Sequence, residues 1–273
     1  MKLYKRIIRV VVGQDNGSAV EIEKLYMQIE IKKNLSAKPN EGFVKIYNLM
    51  KDTEARIKNK ATRIRVFAGH NNEPILLHDG DIRRIESNTE GQNRVMTITL
   101  GGHILKLSQA FFDRAYAGQI TVKQIVQDAV PSFGLEQSDI DQIPEDAFLY
   151  DFSFTGKTSV LLDKILNPLK IQWFENDNFI SFSARGKTLK SVVELSKYSG
   201  MINSPAITYD SKTLKSTGVT FKSVLNGRII LDNRIKIESI TVTGIYKISQ
   251  ITHRGDNREG EFVTDGVGVE IEQ

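Results

Sequence analysis

The sequence predicts a mainly β protein with a small α+β insert, in which two barrel-like β domains flank a helix-helix-hairpin unit. Three observations lead there. Short apolar runs with period-two alternation fill both ends of the chain, separated by glycine, asparagine and aspartate turns. Only in the middle does the spacing change to the helical period of about 3.6 residues, over two short segments. At 273 residues the chain has room for two or three small domains, or for one large β-rich one.

Residues 1–103 read as the first barrel-like domain. A strand from Arg6 to Val12 turns at Asp15-Asn16-Gly17, whose Asn-Gly pair suits a tight hairpin. Leu25, Met27, Ile29 and Ile31 then alternate with Tyr26, Gln28 and Glu30, the mark of a half-buried strand. Pro39-Asn40-Glu41-Gly42 breaks that pattern and launches a strand through Ile46-Tyr47-Asn48-Leu49. Asp52 to Ile57 reads as a short helix, with Asp52 as its cap and Glu54 in the first turn. Arg63 to Ala68, Ile75 to Ile85 and Arg94 to Leu100 complete the set, with turns at Gly69 and Asp79-Gly80. Many short strands at near-regular spacing favour a small barrel or sandwich over a βαβ sheet.

Residues 104–187 differ in kind. Thr121-Val122-Lys123-Gln124 has the form of a capping box, in which the Thr121 hydroxyl takes an orphan amide and Gln124 reaches back. Val122, Ile125, Val126, Ala129 and Val130 make an apolar stripe that Pro131 and Gly134 end. A second helix runs from Thr158 to about Asn167-Pro168, and a hairpin follows across Asn176-Asp177-Asn178. The acidic stretch from Glu136 to Asp146 is expected to be a flexible loop.

Residues 188–273 return to strands, a second barrel-like domain entered through the turn-rich Gly200 to Pro205. Within it, Gly244 to His253 forms a strand that places Tyr246 and Ile248 on one face and Lys247, Ser249 and Ile251 on a mostly wet one. Arg254-Gly255-Asp256-Asn257-Arg258-Glu259-Gly260 is the hairpin tip, and Glu261 to Thr264 the return.

Composition narrows the function classes. With 40% hydrophobic and 26% charged residues the chain buries a core and is no disordered tail. Its 37 basic residues nearly balance 33 acidic ones, a formal charge of +4, so charge alone does not indicate nucleic-acid binding. The absence of cysteine removes disulfide scaffolds, thiolate metal sites and cysteine nucleophiles, and suits assembly in a reducing cytoplasm. The apolar run near the N-terminus is broken by Arg9 and lacks a cleavage pattern, so no signal peptide is expected, and no run is long enough to span a membrane.

Catalytic and metal chemistry find no pattern. His70, His78, His103 and His253 are spread through turn contexts without ligand spacing and read as surface or turn residues, so no metal and no cofactor is expected. No carboxylate pair stands out in an apolar setting, and no Gly-x-Ser-x-Gly turn appears. Gly101-Gly102-His103 and Gly13 to Gly17 are not followed by the Lys-Ser or Lys-Thr of a phosphate loop, and read as turns. Arg254-Gly255-Asp256 has the letters of an adhesion tripeptide and reads as structural. Two exposed, charged regions are the candidate contact sites: Lys58, Lys60, Arg63 and Arg65 at a helix-strand junction, and Arg254, Asp256 and Asn257 at the hairpin tip.

Gly244, Tyr246, Lys247, Ile248, His253, Gly255, Asp256 and Asn257 fill a pattern that resembles the end of the baseplate hub proteins of tailed phages. Pro39-Asn40, Val44, Ile46-Tyr47-Asn48-Leu49, Ala68-Gly69 and Gly80-Asp81-Ile82 resemble the opening of the same family, and Gly200-Met201-Ile202 with Pro205 a third stretch. The resemblance covers most of the chain, and none of its motifs is catalytic. It implies a non-enzymatic virion protein, assembled in the host cytoplasm, that joins the tail tube to the central spike in contractile tails and related injection machines. It further implies a homotrimer whose paired barrels match six-fold to three-fold symmetry, with tail tube protein, central spike protein and other baseplate proteins as partners. DNA would be passing cargo during genome ejection, and no direct membrane insertion is implied. The length leaves no room for a fused lytic domain. The alternative reading is a β-barrel module that binds single-stranded nucleic acid or glycans.

Overall fold

The computed structural model describes residues 5–14, 17–36, 40–71, 73–138, 140–184, 191–209 and 216–271. The fold is mainly β, with 55% of the described residues in strands against 16% in helices. In chain order, the first segment contains β1 (Arg6–Gly13), β2 (Val20–Ile22), β3 (Met27–Asn34), β4 (Glu41–Tyr47), α1 (Lys51–Lys60), β5 (Arg63–His70), β6 (Ile75–Glu90) and β7 (Asn93–Gly101). The middle contains α2 (Ile104–Gln109), β8 (Phe111–Ala115), β9 (Gln119–Thr121), α3 (Val122–Ala129), β10 (Glu136–Gln137), β11 (Phe148–Tyr150), β12 (Ser153–Lys157), α4 (Thr158–Leu166), β13 (Ile171–Asn176) and β14 (Phe179–Ala184). The last segment adds β15 (Val192–Ser196), β16 (Ala206–Tyr209), β17 (Ser216–Val224), β18 (Arg234–Glu238), β19 (Thr243–Asp256) and β20 (Phe262–Glu270).

Two compact units result. One combines Met1–Asn34, Asn40–Gly102 and Leu189–Ile271, and the other centres on His103–Thr188. In the first, thirteen strands form one sheet with the order β16-β17-β20-β19-β3-β4-β7-β6-β5-β1-β2, while β18 pairs with β19 and β15 with β18. The two ends of the chain thus share a sheet, joined where β3 runs antiparallel to β19 from Gln250↔Asn34 to Asp256↔Gln28. Among the described residues this path is open, and no closed barrel is found.

The sheet nevertheless wraps a core. The sixteen residues of β6 pair first with β5 and then with β7, with register shifts at Val66/Phe67 and Ile82/Arg84 that turn the strand. Ile8, Val10 and Val66 from one arm therefore meet Ile31, Val44 and Ile98 from the other in a single apolar cluster. Each of these six is fully buried, and truncating one to alanine costs on the order of 1–4 kcal/mol. Glycine is needed at Gly266, where a Cβ would come within 2.2 Å of the Phe221 ring.

The second unit is built around its helices. Thr121 caps α3 by accepting the Gln124 amide at 3.0 Å, while the Gln124 side chain turns forward to Asp128 at 3.4 Å instead of closing the box. Ile125, Val126 and Ala129 of α3 pack with Leu161, Leu162 and Leu166 of α4 and with Trp173 and Phe182 of the β13-β14 hairpin. Trp173 anchors its indole on Asp163 of α4 at 2.8 Å.

Several local expectations are corrected. Asp52 does not cap α1, which begins at Lys51 with Met50 in the cap position and no side-chain bond. The acidic stretch is no free loop: β10 pairs in parallel with β14, Ile140 and Ile143 are buried, and Gln142 accepts the Ala184 amide at 2.6 Å. Residues 15–16 and 39, on which two turn assignments rest, lie outside the described residues. Lys247 is not on a wet face. Its ammonium is buried 2.8 Å from Asp232, itself buried on the chain just before β18.

Candidate assembly site and the clasp beside it

The hairpin tip after β19 folds back on the start of β3. Asp256 is 6% exposed, and its carboxylate accepts four hydrogen bonds. Tyr26 Oη donates to Oδ2 at 2.8 Å and Gln28 Nε2 at 2.9 Å, while the backbone amides of Arg258 and Glu259 donate to Oδ1 at 2.8 and 3.0 Å. Burial alone would raise the Asp256 pKa, but these donors outweigh it and hold the group down at about 2. Tyr26 moves the other way, to about 12, through burial and through the cost of placing a phenolate beside Asp256.

Asn257 completes the clasp on the neighbouring backbone. Its Oδ1 accepts the Met27 amide at 2.9 Å and its Nδ2 donates to the Leu25 carbonyl at 2.8 Å, so the amide stands in for a missing strand partner. Arg6 of β1 donates to the carbonyls of Asp256 and Gly260 at 3.2 and 2.6 Å. Tyr47 at the end of β4 stacks on Tyr26 with centroids 4.3 Å apart and donates to Gln28 Oε1 at 3.0 Å. The Ile46-Tyr47-Asn48-Leu49 and Gly255-Asp256-Asn257 phrases, distant in sequence, therefore meet in one hydrogen-bonded knot.

This placement changes what the candidate contact residues can do. Asp256 was selected for exposure, and it is buried. Asn257 spends its side chain on the backbone, and Arg254 ion-pairs with Asp265 at 2.6 Å and Glu261 at 2.9 Å. At the other corner Arg63 pairs with Asp79 at 2.5 Å and is largely covered. Lys58 bridges to the buried Glu54 at 2.8 Å, and Arg65 reaches Asp79 at 3.2 Å with most of its side chain in solvent. Lys60 is exposed at the last turn of α1. The structure does not bring the two regions together as one charged patch, and leaves Lys58, Lys60 and Arg65 as the accessible cations of the first.

Sequence reasoning missed the buried polar groups. His78, His103 and His253 are buried, where turn or surface positions were expected. Burial and nearby Lys33 push His253 down to about 3, so it stays neutral and shares a 2.9 Å hydrogen bond with Thr264. In the second unit Glu175 accepts from both the backbone amide and the ring Nδ1 of His103, at 2.9 and 2.7 Å. Glu54 is held below the usual carboxylate range: burial opposes ionisation, but Lys58, Ser87 and Arg94 overcome it. The one sequence signal for these groups is a charged or imidazole residue set among apolar strand neighbours, as in Ile245 to Ile251. Among the described residues, no three histidine or carboxylate side chains converge on a metal position.

Comparison with known proteins decides the family. The baseplate hub gp41 family matches residues 7–268, nearly the whole chain. The chain belongs to this family. No curated protein sequence matches this hub chain significantly. Solved structures share its fold at low identity. The tail protein from Neisseria meningitidis MC58 superposes with a TM-score of 0.65 at 8% identity, over 98% of this chain and 97% of that one. The prophage MuSo2 43 kDa tail protein from Shewanella oneidensis gives 0.62 at 10% identity, over 96% and 97%. The E. coli c3393 protein, described as a type VI secretion component similar to T4 tail proteins gp27 and gp5, gives 0.61 at 10% identity, over 91% and 74%. The hub chain is accordingly a structural protein of the virion tail baseplate, and no helix among its described residues is long and apolar enough to cross a membrane.

Proposed function

We propose that this hub chain joins the tail tube to the central spike as a homotrimer, converting six-fold to three-fold symmetry during tail assembly and genome ejection. The observation that carries this reading is the family match across residues 7–268. If each copy contributes two β lobes, three copies present six to a six-fold neighbour. In this reading the lobes are the β-rich regions 1–103 and 188–273, with residues 104–187 as the insert between them. The β3-β19 junction and the Asp256 clasp support it, because they tie the two ends of the chain into one sheet.

The role is non-enzymatic: contact and shape do the work, with DNA as cargo and other baseplate proteins as neighbours. Within this reading Lys58, Lys60 and Arg65 face an acidic partner surface, while Arg63, Arg254, Asp256 and Asn257 hold the framework behind the contacts. Reversal of Lys60 to glutamate, with Arg65 left in place because it pairs with the buried Asp79, tests the division. It should weaken co-assembly with the tail tube protein while leaving thermal stability unchanged. Undiminished co-assembly would remove this corner from the interface.

A further inference from the structure

The β9-β11 ribbon of the second unit leaves one face uncovered. Among the described residues β9 and β11 pair with each other alone, from Phe148↔Thr121 to Tyr150↔Gln119. Alternation along the strands sends Ile120 and Leu149 onto the apolar core and turns Phe148 and Tyr150 outward, 44% and 70% exposed. The Tyr150 hydroxyl has no hydrogen-bond partner among the described residues. Two neighbouring aromatics left in solvent on a sheet mark a surface that another molecule covers. We propose that this face receives helix α1 of a second copy of the chain, with Arg56 and Lys60 laid over the two rings.

Charge selects the occupant. Residues 103–188 hold eleven acidic side chains against eight basic ones, whereas the rest of the chain holds twenty-two against twenty-nine. The segment leading into β11 and the residue after it carry Asp141, Glu145, Asp146 and Asp151, all exposed, with Lys123 bridging Asp141 and Glu145. A negative field beside two open rings repels nucleic acid and favours a cationic protein surface.

Helix α1 offers that surface. It buries Glu54 and Ile57, and its outer side presents Lys51, Asp52, Ala55, Arg56, Asn59 and Lys60. Lys51, Arg56 and Lys60 make no ion pair among the described residues, unlike Lys58, which Glu54 holds. Arg56 and Lys60 stand four residues apart, about 6 Å along a helix, and Phe148 and Tyr150 two apart, about 6.6 Å along a strand, so each cation can cover one ring. Ala55 keeps the approach close, and Met50, 71% exposed at the head of the helix, adds an apolar contact for the aromatic pair.

Both halves of this match stand exposed on the same chain, which makes the contact a head-to-tail one between copies, of the kind that closes a ring. The inference rests on the reading that α1 faces an acidic partner surface, and it names that surface as the β9-β11 face of the neighbouring copy.

Because the chain has no cysteine, single cysteines report the contact directly. A55C and Q119C, both at exposed positions, are made in separate full-length chains, mixed, and oxidised with glutathione disulfide. The expected result is a disulfide-linked pair in the mixture that neither variant forms alone. Adding R56E and K60E to the A55C chain should lower its yield at least about tenfold with an unchanged thermal melt, and adding D146K to the Q119C chain should restore part of it. Absence of the mixed product, equal linking of A55C with itself, or a yield indifferent to the charge reversals and their rescue would overturn the proposal. A K60E chain that loses the tail tube protein, while the two cysteines fail to link, would keep α1 as a contact and remove the second copy as its partner.

Discussion

Replacing Asp256 by asparagine isolates the clasp. The substitution keeps shape and can keep the two backbone donors on Oδ1, but it turns the amide NH2 toward Tyr26 Oη and Gln28 Nε2, the donors that Oδ2 accepts at 2.8 and 2.9 Å. Two partly buried hydrogen bonds to a charged acceptor are lost, a cost of roughly 2–4 kcal/mol. Linkage gives an independent figure. The native carboxyl sits at about 2 against an ordinary 3.8, and at about 1.36 kcal/mol per tenfold change this is worth roughly 2 kcal/mol. Because the native value is depressed, that stability is present above pH 3.8 and is lost as pH falls through about 2. Urea unfolding followed by hydrogen exchange should show the loss in the 256–261 tip and β3, while residues around Trp173 in the other unit serve as internal control. In D256N the acid-dependent component below pH 4 should also disappear. A variant within about 0.5 kcal/mol of wild type, or unaltered exchange at the amides of Arg258 and Glu259, would refute the reasoning.

Three further outcomes follow from the buried groups. Because His253 is held at about 3, below its ordinary 6.5, the unfolded state takes up the proton first, and stability should decline as pH drops below 6.5. H253N should flatten the urea midpoint between pH 6.5 and 4, and an unchanged slope would contradict this. Removing one member of the Lys247-Asp232 pair leaves a buried charge, so K247M should cost about 3–5 kcal/mol in a thermal melt, with D232N added to K247M recovering part of it. Gly266→Ala forces the Phe221 ring aside and should cost roughly 1–3 kcal/mol, with no effect on Trp173 fluorescence at equilibrium.

The parts of the fold set by local patterning were legible in the sequence. Alternation along Met27, Ile29 and Ile31 marks β3, all three buried, and Thr121 and Thr158 open α3 and α4 where their stripes begin. Pairing was not legible, since nothing local to β3 names β19 as its neighbour, and a strand with two partners reads the same whichever partners they are. The clasp stayed hidden for a related reason. Gly-Asp-Asn satisfies an exposed turn and a folded-back one equally, and Asp256 becomes buried only because Tyr26 and Gln28 lie across from it. The histidines failed for want of context: a turn-rich neighbourhood suggests solvent, whereas His253 lies in the sheet opposite Ile31. Asp52 lost the cap to a helix that starts one residue earlier.

Copy number in the particle tests the central claim most directly. Quantitative mass spectrometry of purified tails, referenced to the tube protein, should count three hub chains per tail, and averaged images should place them between tube and spike. Six copies, or a chain absent from the tail tip, would contradict the account.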